Sequence, residues 1–189
     1  MTEAVRYRVS MSRPHSHLFE VEAQFPATDV LDLLLPVWTP GSYLVREFAR
    51  HLEGVTATDP GGNRLPVERL DKHRFRVLAG GASAVTVRWK VYANELTVRT
   101  SHLDATHGFV SPAGVFLAVK GREGEPHRVA VALPPGWQAA TALPGRFALT
   151  SFQFSSAGSL AKLAGSAPAG VQGPLARSRV FSQVASFRR

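Results

Sequence analysis

The stretch VRTSHLDATHG at residues 98–108 gathers side chains that could carry out chemistry. His102, Asp104 and His107 lie within six positions, just after an arginine and a serine. Imidazole and carboxylate groups bind metal ions, transfer protons or brace buried polar networks. The stretch is therefore a candidate for a metal site, a catalytic site or a structural network inside a β-domain.

Strand geometry narrows these alternatives. If residues 96–104 form a strand, alternate side chains point to opposite faces of the sheet. His102 and Asp104 then share one face, about 7 Å apart at their Cα atoms, and we expect a contact between them. Arg99 and Ser101 point the other way, which excludes a Ser–His pair within the segment.

The sequence does not favour a zinc site built from His102, Asp104 and His107. Zinc needs three or four converging ligands, each oriented by neighbouring groups. The spacing here is irregular, no flanking element enforces convergence and no fourth ligand is evident. We predict no metal and no catalytic residue in this segment. A polar network that fastens a strand end to the following loop is favoured, with substrate contact as the alternative.

A second dense stretch is LPVWTPGSYLVREF at residues 35–48. Its Pro-Gly dipeptide predicts a turn, bracketed by the large rings of Trp38 and Tyr43. Arg46 follows Tyr43 by three residues. An arginine beside aromatic rings can hold a carboxylate or carbonyl group at the wall of a substrate cleft. The alternative is a packed corner whose rings simply belong to the core.

Composition excludes several classes of protein. The 189 residues contain no cysteine, which rules out disulfides and cysteine nucleophiles, and no HExxH, GxSxG, Walker or GxGxxG motif. The longest apolar run, VLDLLLPVW, is far shorter than the roughly 20 residues of a membrane span. The N-terminus does not read as a signal or transit peptide. We expect a soluble, cytoplasmic protein that has no membrane partner.

The net charge of +8 is concentrated in the last quarter of the chain. Residues 1–145 carry 16 basic and 14 acidic residues, whereas residues 146–189 carry six basic residues and no acidic one. A nucleic-acid-binding body would show a basic stripe or face. We therefore expect no nucleic-acid partner.

The elements that position these residues are predicted to be strands. Segments of alternating polarity recur between turn signals, and AVTVRWKVYA is the clearest of them. A turn at Ala93–Asn94 would pair it with ELTVRT as a hairpin. SYLVREFARHLE is open to two interpretations, a short helix or a turn. This pattern predicts an all-β fold, either an antiparallel β-sandwich or a pair of twisted sheets.

The segment at residues 146–189 differs from the rest, being rich in serine and alanine without a sustained period. We expect a β-domain over residues 1–145, followed by a disordered or irregular basic tail. An alternative hypothesis is that the tail is a frame-shifted reading of a longer gene. Translation of the DNA in the other two frames tests that hypothesis.

Four motifs give the chain a resemblance to a known family over about residues 5–145. They are LPVWTPGSYLVREFARHLE, VYANELTVRTSHLD, GVFLAVKG and LPPGWQAATALP. Together they resemble the N-terminal domain of the glycyl aminopeptidase family of zinc metallopeptidases. The resemblance implies a saddle-like β-domain that precedes a thermolysin-like catalytic domain with an HExxH zinc site, in enzymes that remove N-terminal glycine or alanine from peptides.

The resemblance assigns a non-catalytic role to this chain. No position matches HExxH. We therefore expect no cofactor in this chain, although the full-length family uses zinc. We also expect a truncated chain to have no peptidase activity. Tyr43, Arg46, Arg99, His102 and Asp104 are the predicted residues of a substrate wall or domain interface. The expected partners are a peptide substrate, reached through the missing catalytic domain, and a second copy of the chain. The alternative function is a free-standing peptide-binding β-module.

Overall fold

The fold is built almost entirely from strands. The structure, a computed structural model, describes residues 4–26, 29–39, 42–97, 99–122, 124–125, 127–141, 145–148, 151–155 and 185–188. Its strands are β1 (Val5–Ser10), β2 (Leu18–Pro26), β3 (Val30–Leu34), β4 (Leu52–Thr58), β5 (Arg64–Leu65), β6 (Val67–Arg69), β7 (Arg74–Leu78), β8 (Ala84–Tyr92), β9 (His102–Leu103), β10 (His107–Val110), β11 (Ala118–Val119), β12 (His127–Ala132), β13 (Gln138–Thr141), β14 (Gly145–Ala148), β15 (Ser151–Ser155) and β16 (Ala185–Arg188). Short 3₁₀ helices occupy Pro14–Ser16, Phe48–His51 and Pro112–Gly114.

The strands form three sheets around one core. The largest sheet has the order β14-β15-β12-β1-β2-β8-β4-β5, and two four-stranded sheets have the orders β13-β16-β10-β9 and β11-β3-β7-β6. Neighbouring strands are antiparallel apart from β1 and β12, which run parallel. The predicted all-β, mainly antiparallel architecture is confirmed.

Alternation along the central strands buries one face of the large sheet, as their sequences predict. In β8, Thr86 lies on the opposite face from the buried side chains, and Arg88 and Lys90 are exposed. Period-two alternation puts every second side chain on the same side, so one apolar face removes many side chains from water at once. The buried residues of β1, β2 and β8 are Val5, Tyr7, Val9, Phe19, Val21, Ala23, Phe25, Val85, Val87, Trp89 and Val91.

The GVFLAVKG motif crosses the core mainly as an irregular segment, although its sequence suggests a strand. Only Ala118–Val119 pairs as β11. Its polar backbone is satisfied by aromatic side chains of the large sheet, because Tyr7 Oη donates to the Leu117 carbonyl at 2.8 Å and Trp89 Nε1 donates to the Val115 carbonyl at 2.8 Å. Irregular backbone can be buried only where such partners exist. Burial also raises the pKa of the Tyr7 hydroxyl far above its usual value.

The SYLVREFARHLE segment resolves into a single turn of 3₁₀ helix, Phe48–His51, that continues directly into β4. Phe48 is buried and its ring lies over Gly114, where an added Cβ would meet Phe48 Cδ1 at 3.5 Å. Leu44 and Val45, by contrast, are exposed. The apolar residues whose spacing suggested a helix face therefore do not share one buried face. Only the second half of the segment, from Phe48 onward, packs into the core.

The segment after β8 departs from the predicted hairpin. Asn94 makes an isolated antiparallel bridge to His102, and the Leu103 amide donates to the Ala93 carbonyl at 2.7 Å. The described residues between them form bends, not the strand predicted for ELTVRT or for residues 96–104. Thr97 explains the difference, since its Oγ1 accepts hydrogen bonds from the Arg99 and Thr100 amides, both at 3.1 Å. Such side-chain bonds offer the backbone an alternative to strand pairing.

The described parts of the predicted tail are strands. β15 pairs with β12 of the large sheet, and β16 lies between β10 and β13. The remainder of the segment, at residues 149–150, 156–184 and 189, lies outside the described residues. The prediction of a disordered tail stays a prediction there.

Candidate functional site at the β9–β10 hairpin

The β9–β10 hairpin places two histidines around one carboxylate. His102 Nε2 lies 3.1 Å from Asp104 Oδ2, and His107 Nδ1 lies 3.3 Å from Asp104 Oδ1. The two imidazole rings are 4.9 Å apart at their centroids, tilted by 33°. The contact predicted between His102 and Asp104 is therefore confirmed, although their role toward substrate or another domain stays a prediction.

Asp104 is the hub of this cluster. Its Oδ1 accepts from the Thr106 amide at 2.7 Å, from Thr106 Oγ1 at 2.7 Å and from the His107 amide at 2.9 Å. Burial alone would raise the pKa of Asp104, but these hydrogen bonds, together with the one from His102, outweigh it and hold that pKa well below its usual range. The carboxylate is therefore ionised at neutral pH.

The hairpin is held in place by its neighbours in the fold. The Asp104 amide donates to the His107 carbonyl at 2.9 Å, which closes the turn. His17 Nδ1 donates to the Leu103 carbonyl, and the His17 carbonyl accepts from the Ala93 amide at 2.7 Å. His17 adopts a left-handed backbone conformation, with φ of 58°, to reach both partners.

Gly108 sets the close packing beneath the cluster. A Cβ at this position would lie 3.1 Å from Leu103 Cδ1, 3.5 Å from Phe187 Cδ2 and 3.6 Å from Phe19 Cζ. A larger residue here would therefore require Leu103 to shift by a few tenths of an ångström. As a result, the cluster rests on a buried floor, with His102 largely buried and Asp104 and His107 partly exposed.

The expectation that no element brings His102, Asp104 and His107 together is wrong. Their potential ligand atoms all lie within 4.8 Å of one another, and theirs is the one such group among the residues that the structure describes. The error arose because a hairpin turn follows Leu103, so that His107 folds back over His102. Ser101 is buried and its Oγ accepts from the Ser111 amide at 3.0 Å, consistent with the exclusion of a Ser–His pair.

The second predicted site is a loop on the surface. Tyr43 is fully exposed, so it is not part of a packed corner, and Arg46 is half-buried with its Nε donating to Ser42 Oγ at 3.2 Å. Trp38 Nε1 donates to the Ser42 carbonyl at 2.8 Å. The Pro40–Gly41 turn itself lies outside the described residues.

Sequence reasoning missed the most exposed apolar residues of this region. Leu44 and Val45 are 62% and 70% exposed, and Leu96 is 70% exposed. The loop that carries Leu96 is joined to the segment after Val45 by Arg50, whose Nη2 lies 2.6 Å from Glu95 Oε1. The run Tyr43-Leu44-Val45, which begins two residues after Gly41, was an available signal, because turns rarely carry three bulky apolar residues in succession.

The five predicted site residues lie in three segments of the described chain, and their shared role toward a substrate or another domain stays a prediction. His102 and Asp104 are in contact, Tyr43 and Arg46 belong to the loop described above, and Arg99 is an exposed residue of the Thr97 bend. No helix in the described part of the chain is long and apolar enough to cross a membrane.

Comparisons with known proteins agree with this architecture. The model of the Peptidase M61 N-terminal domain matches residues 6–161. An aminopeptidase N family protein from Idiomarina loihiensis is 28% identical with a TM-score of 0.80, over 97% of this chain and 29% of that one. The M1 zinc metallopeptidase from Deinococcus radiodurans (10% identity, TM-score 0.52, 99% and 42% covered) and the yeast LTA4 hydrolase (9%, 0.51, 99% and 28%) share the fold.

No curated protein sequence matches the chain. The chain spans about 29% of the length of the Idiomarina protein. The family match, however, covers most of the chain and extends past residue 145. The chain belongs to the Peptidase M61 N-terminal domain family.

Proposed function

We propose that this chain is the non-catalytic N-terminal domain of a zinc metallo-aminopeptidase, which docks against the catalytic domain and helps to shape its substrate cleft. The observation that carries the proposal is the exposed apolar loop Tyr43-Leu44-Val45, here called the apolar loop. A preference for N-terminal glycine and a cytoplasmic location belong to the same proposal, and both come from the sequence.

The apolar loop has the properties of an interface. Contiguous exposed apolar side chains are uncommon on a monomer and mark surfaces that another molecule covers. The loop is also held in shape, since the Arg46 amide donates to the Val37 carbonyl at 2.6 Å and Trp38 Nε1 donates to the Ser42 carbonyl. A preorganised apolar surface loses little conformational entropy when a partner covers it.

The matched relatives support a catalytic domain as that partner. The Idiomarina protein is described as a member of the aminopeptidase N family and the Deinococcus protein as a zinc metallopeptidase, and each is much longer than this chain. This chain has no HExxH motif. In the proposal, metal-assisted hydrolysis therefore takes place in another domain, with zinc supplied there.

A titration against the region of the Idiomarina protein that follows its N-terminal domain tests the proposal. We expect the 189-residue chain to bind that region, and the variant Tyr43→Ser/Leu44→Ser/Val45→Ser to bind at least tenfold more weakly, because the buried apolar area is lost. Val30→Thr, at an exposed strand position elsewhere (45% exposed), is the matched control.

Three results would count against the proposal. They are equal binding by the triple variant, zinc-dependent peptide hydrolysis by the chain alone, and peptide binding by the chain alone that the triple substitution leaves unchanged. The last result would favour the free-standing peptide-binding module.

A further inference from the structure

We propose that His102, Asp104 and His107 form a binding site for a divalent transition-metal ion on the β9–β10 hairpin. The inference rests on the geometry of this hairpin and does not depend on the proposed function.

The distances within the cluster approach those that a metal ion requires. Ligands about 2.0 Å from a tetrahedral zinc ion are about 3.3 Å from one another. His102 Nε2 is already 3.1 Å from Asp104 Oδ2, and His107 Nδ1 is 3.3 Å from the other oxygen of the same carboxylate, Oδ1. The potential ligand atoms of all three residues lie within 4.8 Å of one another. The longest of these distances must therefore shorten by about 1.5 Å at most to reach about 3.3 Å. A small rotation of His107, whose side chain is 40% exposed, can supply it.

The framework around the ligands is fixed, while the site remains open to solvent. The turn is closed by the backbone bond between Asp104 and His107, and Leu103 and Gly108 hold it against the core. Asp104 and His107 are 32% and 40% exposed, so an ion can enter and keep water in a fourth position. Three protein ligands plus water complete a tetrahedral set.

The tautomer of His102 does not oppose binding. Its Nδ1 is buried and has no hydrogen-bond partner among the described residues. This nitrogen lacks a partner whichever ring nitrogen carries the proton, so moving the proton from Nε2 to Nδ1 adds no new unsatisfied group. The Nε2 lone pair is then available to a cation beside Asp104.

The ligand types select the class of metal. Two imidazoles and one carboxylate suit zinc, cobalt, nickel or copper, whereas magnesium and calcium prefer oxygen ligands throughout. The negative charge of Asp104 offsets part of the positive charge of the ion. We therefore expect Co²⁺ and Zn²⁺ to bind, and Mg²⁺ to compete poorly.

Calorimetric titration of the 189-residue chain with ZnCl₂, together with the visible absorption of the Co²⁺ form, tests the inference. We expect one ion per chain and an absorption spectrum typical of four-coordinate cobalt. His107→Ala should weaken binding by roughly tenfold or more, as should Asp104→Asn. His73→Ala is the matched control, since His73 Nδ1 lies 3.2 Å from Asp71 Oδ1 outside this cluster. Its affinity should equal that of the wild type.

A measurement on the wild type alone guards against misfolded variants. Zinc should shift the imidazole NMR resonances of His102 and His107 and leave those of His15 and His73 in place. Failure of zinc to bind, binding that His107→Ala leaves unchanged, or equal shifts at all surface histidines would each overturn the proposal.

Discussion

Asp104 is the residue on which the candidate site depends most. It accepts hydrogen bonds from Thr106, His107 and His102 at once. These donors compensate for the burial of the carboxylate and keep it charged. Both imidazole rings lie within 3.3 Å of this carboxylate, a placement that suits either a polar brace or a metal ligand set.

The depressed pKa of Asp104 gives stability a defined pH dependence. Its folded pKa lies below the unfolded value of about 3.9, so the unfolded chain binds a proton more readily. The stabilisation is therefore fully present above the unfolded pKa and is lost as pH falls through the folded pKa. Asp104→Asn should lower the free energy of unfolding at neutral pH and reduce its acid dependence, as measured by urea titration.

A second carboxylate provides the comparison for this prediction. The backbone amide of His73 is the main cause that lowers the pKa of Asp71 to about 2, with further bonds from Arg74. Asp71→Asn should therefore also reduce the acid dependence. Parallel curves of unfolding free energy against pH for wild type and Asp104→Asn would contradict the assigned role of Asp104.

At the scale of elements, the buried segment between β10 and β11 links the sheets. Residues 113–119 are all buried, although only the last two pair as a strand. Their carbonyl groups depend on Tyr7 and Trp89 of the large sheet. The GVFLAVKG motif therefore fills part of the core, and this buried position explains why most of its residues are apolar.

Removing the Tyr7 hydroxyl should show how much its hydrogen bond to the Leu117 carbonyl contributes to the free energy of unfolding. Tyr7→Phe leaves the buried Leu117 carbonyl without its partner, at an expected loss of about 1–3 kcal/mol in unfolding free energy. Tyr92→Phe, at a position that is 39% exposed, should change stability by less than about 0.5 kcal/mol. Equal denaturation midpoints for the two variants would show that the carbonyl finds another partner.

At the scale of the whole molecule, we expect the apolar loop to make copies of the chain associate in solution. Without a covering domain, Tyr43, Leu44 and Val45 remain exposed to water. Association between copies then removes apolar area from water. Sedimentation velocity should show concentration-dependent association of the wild type, and the triple serine variant should stay monomeric at the same concentrations. Monomeric wild-type protein over the whole range would contradict this prediction.

The sequence by itself determined the fold class and the face of each central strand. Alternation of apolar and polar residues is local information, and a one-residue error would expose a whole strand face. β1, β2 and β8 therefore follow the pattern directly. The four motifs likewise led to the peptidase family, although a finer specificity for glycine is still a proposal.

Only the tertiary structure decided how the candidate site is assembled. A strand over residues 96–104 is compatible with the local pattern, but the Thr97 bend and the return of the chain at Asp104 replace it with a hairpin. The proximity of His107 to His102 depends on that return and on the close approach at Gly108. The turn interrupts the alternation along the strand, and the packing at Gly108 involves segments distant in sequence, so no local period encodes either contact.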